Sequence, residues 1–329
     1  MKKVLFNINE VTTMISDGKN LLIAADEKLL RQLPKGNWIA GSIPYFMGDE
    51  GGITSRDKLF VNELPKNIDK YEIKEYSTEN INQIYKDAPG NGFTILIIPA
   101  SCPLHLSFAL NAPNYEGFAT SPLIGWISGV MLDDLGKVTP KIMMGDTLKI
   151  SDSTAVAMHV FLPKDTYAEL LIVNIFEQGD GDVISFMNDG FSVTDAYVNG
   201  KRLNFAEYVI KNKIDTRLPL VADYFGALIN ISFQNIDKVA KKVDLYAPVF
   251  KGIQYKLASP INDYVKSFTS QIKGIEADSI IFSCNCILNY LYCNLEGKKT
   301  AEVTGPITFG EIAYQLLNQT MTYLKVGKY

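Results

Sequence analysis

Short, unbroken apolar runs recur along this chain, among them Leu21-Leu22-Ile23-Ala24-Ala25 and Phe93-Thr94-Ile95-Leu96-Ile97-Ile98. Such runs read as strands covered on both faces, the pattern of parallel sheets, and the residues after each run fix the connection. Asp26 follows the first run as a helix cap, Leu29, Leu30 and Leu33 take helical spacing, and Pro34 ends the helix. Trp38-Ile39-Ala40-Gly41-Ser42-Ile43-Pro44-Tyr45-Phe46 then returns as a second strand and enters a glycine-rich loop at Gly48, Gly51 and Gly52. The chain therefore opens with a β-α-β unit.

The same alternation continues. The run from Phe93 ends in Pro99-Ala100-Ser101-Cys102, and Leu123-Ile124-Gly125-Trp126-Ile127-Ser128-Gly129-Val130 ends in the polar turn Asp133-Asp134. An extended run from Met158 to Leu162 closes at Pro163-Lys164-Asp165, which marks a seam between halves 1–163 and 164–329. Beyond it extended segments dominate, separated by Gly179-Asp180-Gly181-Asp182, Asn188-Asp189-Gly190 and Asn199-Gly200, as antiparallel hairpins require. Ile261, Tyr264, Val265, Phe268 and Ile272 fall at helical spacing. Near the end, Ile280-Ile281-Phe282 breaks into Ser283-Cys284-Asn285-Cys286, and residues 303–311 read as a strand, a glycine turn at Gly305 and a helix start. Both 21–46 and 280–309 place a glycine, a proline and an aromatic ring after a second strand. The expected class is α+β, with two pseudo-equivalent α/β lobes and large mixed sheets flanked by helices.

Composition narrows the function. A 329-residue chain with 47% hydrophobic residues can bury a large core, and a net charge of −4 without basic runs argues against nucleic acid as a partner. No apolar run approaches the ~20 residues that cross a bilayer, and Met1-Lys2-Lys3-Val4-Leu5-Phe6-Asn7 lacks the apolar core of a signal peptide. The expectation is a cytoplasmic protein without a membrane partner. Four cysteines, Cys102, Cys284, Cys286 and Cys293, make no disulfide framework, and with only His105 and His159 beside them they lack the paired spacing of a metal site. They read as reduced, apolar core thiols, and no metal or cofactor is expected.

The order of features resembles the FIST domain family of sensory proteins. The matching residues are the Gly41 turn, the Ile124-Gly125-Trp126-Ile127-Ser128-Gly129 strand with Asp133-Asp134, the Val198-Asn199-Gly200-Lys201 turn before Phe205-Ala206-Glu207-Tyr208, the Phe282-Ser283-Cys284 strand, and Gly305 to Glu311. This resemblance implies a small-ligand sensor without catalytic activity, taking amino acids or their derivatives and working with a signalling protein partner. An arginine-containing segment is usual after the Ser-Cys of that family. Asn285-Cys286-Ile287-Leu288-Asn289 stands here instead, so the ligand is expected to differ.

The expected pocket lies in a cleft between the lobes. It combines Gly41 and Ser42 with Gly305, Pro306 and Gly310, the strand end Ser283, Cys284 and Asn285, and the rings of Tyr45, Trp126 and Phe309. Thr308-x-x-Glu311 has the spacing of a capping box, and the backbone donors at Phe309 and Gly310 would remain for an anionic or carbonyl group. The alternative is a hydrolase or transferase using Cys284 or Cys102, the latter close to His105 in Ser101-Cys102-Pro103-Leu104-His105. The carboxylate pairs Asp49-Glu50, Asp133-Asp134 and Asp180 with Asp182 sit beside glycine and read as solvated turns.

Overall fold

Strand outweighs helix in the computed structural model, 42% against 17%, so the helices serve as crossovers and covers for sheets and the α+β class holds. Residues 3–65, 67–224, 227–272 and 279–329 are described.

Three consecutive series of strands build most of the molecule. The first comprises β1 (Leu5–Phe6), α1 (Ile8–Ser16), β2 (Leu21–Ala25), α2 (Glu27–Leu30), β3 (Trp38–Ser42), β4 (Tyr45–Gly48), β5 (Gly51–Thr54) and β6 (Leu59–Glu63). The second comprises β7 (Lys70–Tyr76), β8 (Gly92–Pro99), α3 (Pro103–Asn111), β9 (Leu123–Ser128), β10 (Ile142–Met144), β11 (Ile150–Ser151) and β12 (Ala155–Phe161). The third begins with β13 (Thr166–Val173) and is then interrupted. The interruption holds β14 (Ile184–Ser185), β15 (Gly190–Val193), β16 (Asp195–Val198), β17 (Lys201–Asn204), α4 (Phe205–Lys211), β18 (Leu220–Tyr224), β19 (Ala227–Ile231), β20 (Phe233–Asp237), β21 (Lys242–Val249), β22 (Gln254–Leu257) and α5 (Tyr264–Gln271). The third series resumes as β23 (Ile280–Cys286), α6 (Ile287–Tyr292), β24 (Gly305–Thr308), β25 (Glu311–Ala313), β26 (Gln315–Leu317) and β27 (Met321–Lys328).

The sheets show that these series are one motif used three times. Sheet I runs β1-β6-β2-β3-β10-β11, sheet II runs β7-β12-β8-β9-β25-β26, and sheet III runs β13-β27-β23-β24-β4-β5. In each, the central pair is parallel and bridged by a helix: β2 with β3, β8 with β9, β23 with β24. The strands on either side of each pair run antiparallel to it. Each series also gives away a hairpin: β4-β5 completes sheet III, β10-β11 completes sheet I and β25-β26 completes sheet II. Of the three copies, the sequence shows only the first and last, as the echo between 21–46 and 280–309.

Local chemistry explains the elements. Asn7 caps α1 by accepting from the Glu10 amide at 3.0 Å while the Glu10 carboxylate accepts from the Asn7 amide at 2.9 Å, a reciprocal capping box. Val11 and Ile15 of that helix bury against Leu21, Ile23, Trp38, Ala40 and Val61 on one face of sheet I. Each such fully buried apolar side chain contributes roughly 1.5–3 kcal/mol. Asp26, Cys102 and Cys286 occupy the same N-cap place before α2, α3 and α6. Two of the four thiols are thus spent where the first copy carries a carboxylate.

The chain divides into two compact units at places other than the expected seam at 163. One holds Met1–Val173, Ile272–Leu316 and Met321–Tyr329; the other holds Asn174–Gln271 with Leu317–Thr320. The residues around Pro163 turn β12 into β13, the junction between the second and third series, so the expected seam parts two copies of the motif but not the two units; the second unit enters between the first two strands of the third series, where the first copy has α1 and the second has residues 77–91 with a 3-10 turn at Ile81–Gln83. That unit contains a six-stranded sheet, β17-β16-β14-β22-β18-β19, and a three-stranded one, β15-β21-β20. Phe176, Val221 and Ala258 centre one of its apolar clusters. Ser232 donates to Asn318 Oδ1 from its amide at 3.1 Å and its hydroxyl at 2.8 Å.

The expected helix start at 308–311 is instead a strand. Glu311 opens β25 and pairs with Trp126, and the Thr308 hydroxyl donates to the Gly310 carbonyl at 3.0 Å. Gly305 lies within β24, not in a turn, and its lack of a side chain is needed for close approach: a Cβ there would meet the Ser283 carbonyl of the facing strand. Gly125 in sheet II repeats the arrangement against the Leu96 carbonyl. Gly125→Val or Gly305→Val should therefore lower stability by at least ~2 kcal/mol, read from denaturant midpoints, whereas Gly90→Ala, whose Cβ meets nothing within 4 Å, should stay within ~0.5 kcal/mol.

Candidate functional site

Ligands of α/β sheets settle at the carboxyl ends of parallel strands, and here three such ends can be compared. The final residues of the second parallel strands are Ser42, Ser128 and Thr308, facing Ala25, Pro99 and Cys286 across the parallel ladders. A hydroxyl stands at each place. What distinguishes the ends is the link that leads from each strand to its donated hairpin. Residues 43–44 and 309–310 make two short links, and residues 129–141 make a long one.

The long link belongs to series two and passes over the strand ends of sheet I, where a cavity of about 230 Å³ opens. Ser42 fastens the base of the link at both ends. Its hydroxyl donates to the Gly129 carbonyl at 2.8 Å and accepts from the Lys141 amide at 2.8 Å, while its carbonyl accepts from the Gly129 amide at 2.7 Å. Tyr45 holds the middle, its hydroxyl accepting from the Leu132 amide at 3.0 Å and donating to Met131 Sδ at 3.2 Å. Burial pushes the Tyr45 phenol above its ordinary value, so it stays a neutral donor. At the mouth Arg56 reaches Asp134 on the link at 2.7 Å and Asp26 beyond β2 at 3.3 Å. Ile43, Pro44, Val130 and Val138 supply the apolar wall. The cavity thus pairs an apolar interior with one guanidinium and two carboxylates at its entrance.

The Arg56 side chain is 40% exposed, so neither ion pair is worth more than about 1 kcal/mol. A guanidinium has five N–H donors, and these pairs leave some of them for a further acceptor. Asp26 Oδ1 meanwhile accepts from the Lys28 amide at 3.0 Å, so one side chain caps α2 and faces the entrance.

The sequence-derived site residues fall into three places. Ser42 lines the cavity, and Tyr45 holds the link that passes over it. Gly41, Trp126 and Cys284 gather in the interior beside it: a Cβ on Gly41 would stand 2.7 Å from Trp126 Nε1, Trp126 stacks on Phe282 at 5.3 Å, and Cys284 Sγ lies 3.3 Å from both the Gly125 carbonyl and the Thr322 hydroxyl. Fully buried Glu311 and Thr308 join this group, with their side chains 3.5 Å apart. Ser283, Asn285, Gly305 and Pro306 lie in the packed centre of sheet III. Ser283 Oγ donates to the Thr304 carbonyl at 2.6 Å, Asn285 Oδ1 accepts from Asn289 at 2.9 Å, and Pro306 pairs with Phe46. The space bounded by Ser283, Cys284, Asn285 and Gly305 is about 10 Å³, room for one water at most. The Phe309 amide is not left for an anion, since it donates to the Ile127 carbonyl at 3.1 Å, and the Gly310 carbonyl accepts from the Ile127 amide at 2.9 Å.

Arg56, Met131 and Val138 escaped sequence reading, Asp26 was legible only as a cap, and Asp134 only as a turn. The signal that points to them is the length of the link after Ser128.

Burial disfavours the thiolate at both cysteines of the alternative reading. Burial pushes the Cys284 thiol well above its ordinary value and the Glu311 carboxylate adds to the shift. Cys102 is likewise pushed up by burial, and His105 Nδ1 accepts from the Ser101 amide at 3.1 Å instead of taking the Cys102 proton. His159 bridges the Thr94 hydroxyl at 2.8 Å and the Tyr76 hydroxyl at 2.9 Å, with Tyr76 donating onward to Asp87. Among the described residues no group of three or more His, Cys, Asp or Glu side chains is placed to hold a metal ion.

A mixed α+β scaffold with a small cavity at its strand ends is the class defined by this geometry. Residues 6–327 match the model of a family of unknown function, DUF6976, and the chain belongs to that family. No curated protein matches it. No described helix is long and apolar enough to cross a membrane.

Burial lowers both imidazoles from 6.5 to about 4. The unfolded chain then binds more protons than the folded one between those values, so the imidazole contribution to stability should be constant above pH ~6.5 and fall as pH drops toward 4. Replacing His159 by Gln should flatten the acid limb of a melting-temperature profile by about one proton's slope; an unchanged profile would contradict the buried, neutral state of His159.

Proposed function

We propose that this protein binds a small metabolite in the sheet I cavity and acts as a sensor, not as a catalyst. The observation that carries the reading is the cavity itself, closed at its base by the hydrogen bonds of Ser42 to Gly129 and Lys141 and charged at its mouth by Arg56, Asp26 and Asp134. Its volume of about 230 Å³ is below the ~300–1,000 Å³ of sites for drug-sized ligands, which favours a compact molecule. Arg56 suits a carboxylate, the two aspartates suit an ammonium group, and the apolar wall suits a short hydrocarbon. A free amino acid or a close derivative combines all three, in keeping with the ligand class implied by the resemblance to FIST domains. On this reading the protein works in the cytoplasm, where its free cysteines stay reduced, and passes the bound state to a signalling partner.

The chemistry asked of the residues is limited to recognition. Arg56 can swing from Asp134 to an incoming carboxylate at small cost, because its present pairs are solvent-screened. The link over the cavity is then held by Ser42 and Tyr45 while its outer end is released. Binding at the mouth is thereby coupled to the position of a surface segment.

A thermal-shift screen of amino acids and other small zwitterions should yield compounds whose stabilisation grows with the logarithm of concentration above their Kd. Arg56→Ala should weaken the same compound at least ~10-fold, and Val138→Trp, which fills the wall, should abolish the shift. Equal shifts in the wild type and both variants would place the ligand elsewhere.

A further inference from the structure

Among the described residues, five methionines, Met47, Met143, Met144, Met158 and Met321, are buried, and three, Met14, Met131 and Met187, are partly exposed. Of these, Met131 alone has its sulfur tied to another side chain, with the Tyr45 hydroxyl donating to Sδ at 3.2 Å. The same hydroxyl accepts from the Leu132 amide at 3.0 Å, and burial keeps it protonated. Leu132 opens a 3-10 turn at Leu132–Asp134, and Asp134 carries the ion pair with Arg56 at the cavity mouth. One phenol thus connects a partly exposed thioether, the turn and the ion pair. A thioether is a weak acceptor, so the phenol hydrogen is held loosely and will pass to a better one.

We propose that Met131 is an oxidation site for peroxides, and that its sulfoxide shifts the link over the sheet I cavity relative to Tyr45. With hydrogen peroxide the step balances. An Sδ lone pair attacks one peroxide oxygen, the O–O bond breaks, and sulfur gives up two electrons to the peroxide. The hydrogen on the transferred oxygen passes to the departing hydroxide, which leaves as water. The product carries a polar, strongly accepting oxygen on the atom that held the phenol. Tyr45 has one hydroxyl hydrogen to give, so the bond passes from the sulfur to that oxygen. The sulfur is then set back from the phenol by its own S–O bond, and the backbone at 131–132 must follow it or lose the Leu132 bond. Either outcome loosens the 3-10 turn and the hold of Asp134 on Arg56. The oxygen also puts a polar group into the cavity lining at Met131, beside apolar Val130 and Val138. Met14 and Met187 meet the same oxidant but hold no such bond, so their oxidation leaves the link in place.

Hydrogen peroxide given to the intact protein, followed by peptide mass mapping, should add one oxygen to Met131 at least ~10-fold faster than to the five buried methionines. In step with it, amide hydrogen exchange over residues 131–138 should speed up at least ~10-fold, and a methionine sulfoxide reductase should reverse both changes. Met131→Leu, which conserves side-chain volume, should abolish the exchange response, whereas Met14→Leu and Met187→Leu should keep it. Tyr45→Phe should exchange fast over the link before any peroxide is added and gain little from it. Oxidation of Met131 no faster than that of the buried methionines overturns the site. A link whose exchange ignores the sulfoxide, or responds equally in Met131→Leu, overturns the coupling. The first two readouts need only the wild type, so they decide the matter even where a variant fails to fold. None of them uses a ligand, so failure here is distinct from failure of the amino-acid screen.

Discussion

Every sheet of the larger unit depends on strands it does not own. The hairpins β4-β5, β10-β11 and β25-β26 each leave the series that encodes them and complete a neighbouring sheet, so the three copies are tied in a closed cycle. Backbone pairing is the tie: Phe46 with Pro306, Ala40 with Met143, Gly125 with Ile312. An exposed ladder position costs a protein a backbone hydrogen bond, and the exchange fills these positions without extra chain. The same exchange sets the cavity, because a link that must travel from one sheet to the next passes over strand ends. Two links take the shortest way. The third, residues 129–141, takes a longer one and leaves a hollow beneath it.

The parts of this fold that could be read from the sequence are those fixed by local pattern. Leu21–Ala25, Trp38–Ser42 and Leu123–Ser128 appear where apolar runs put them, α2 starts at its Asp26 cap, and Asn199-Gly200 turns β16 into β17. Nonlocal pairing decided the rest. Thr308-x-x-Glu311 has the spacing of a capping box, yet Glu311 sits opposite Trp126 in a ladder, and the partner strand outweighs the local preference. The middle copy of the motif stayed hidden because its glycine and its next strand are separated by the long link, and the last copy is split by the insertion after Val173.

The site was half legible for the same reason. Ser42 and Tyr45 stand near a recognisable strand end, so sequence reasoning reaches them. Arg56 lies between β5 and β6, Asp134 on the long link, and only the crossing of chain segments brings them within 2.7 Å. Gly305 and Ser283 were attractive as a strand end with a glycine, but glycine here serves the tight packing of two neighbouring strands. Close approach of backbones and close approach of a ligand ask for the same residue, and sequence alone does not separate them.

The order in which strands are exchanged has a consequence for birth on the ribosome. The β4-β5 hairpin is made within the first 54 residues, but its sheet is centred on β23 and β24, which emerge after residue 279. Through most of translation that hairpin has no ladder to join, and sheet II likewise waits for β25. A nascent chain of this kind carries unsatisfied strands until its final segment appears, so its closure is late, nonlocal and slow. Newly made molecules will lean on holding chaperones in proportion to that wait, and truncation of the last strand, β27, would take away the ladder partner of β13.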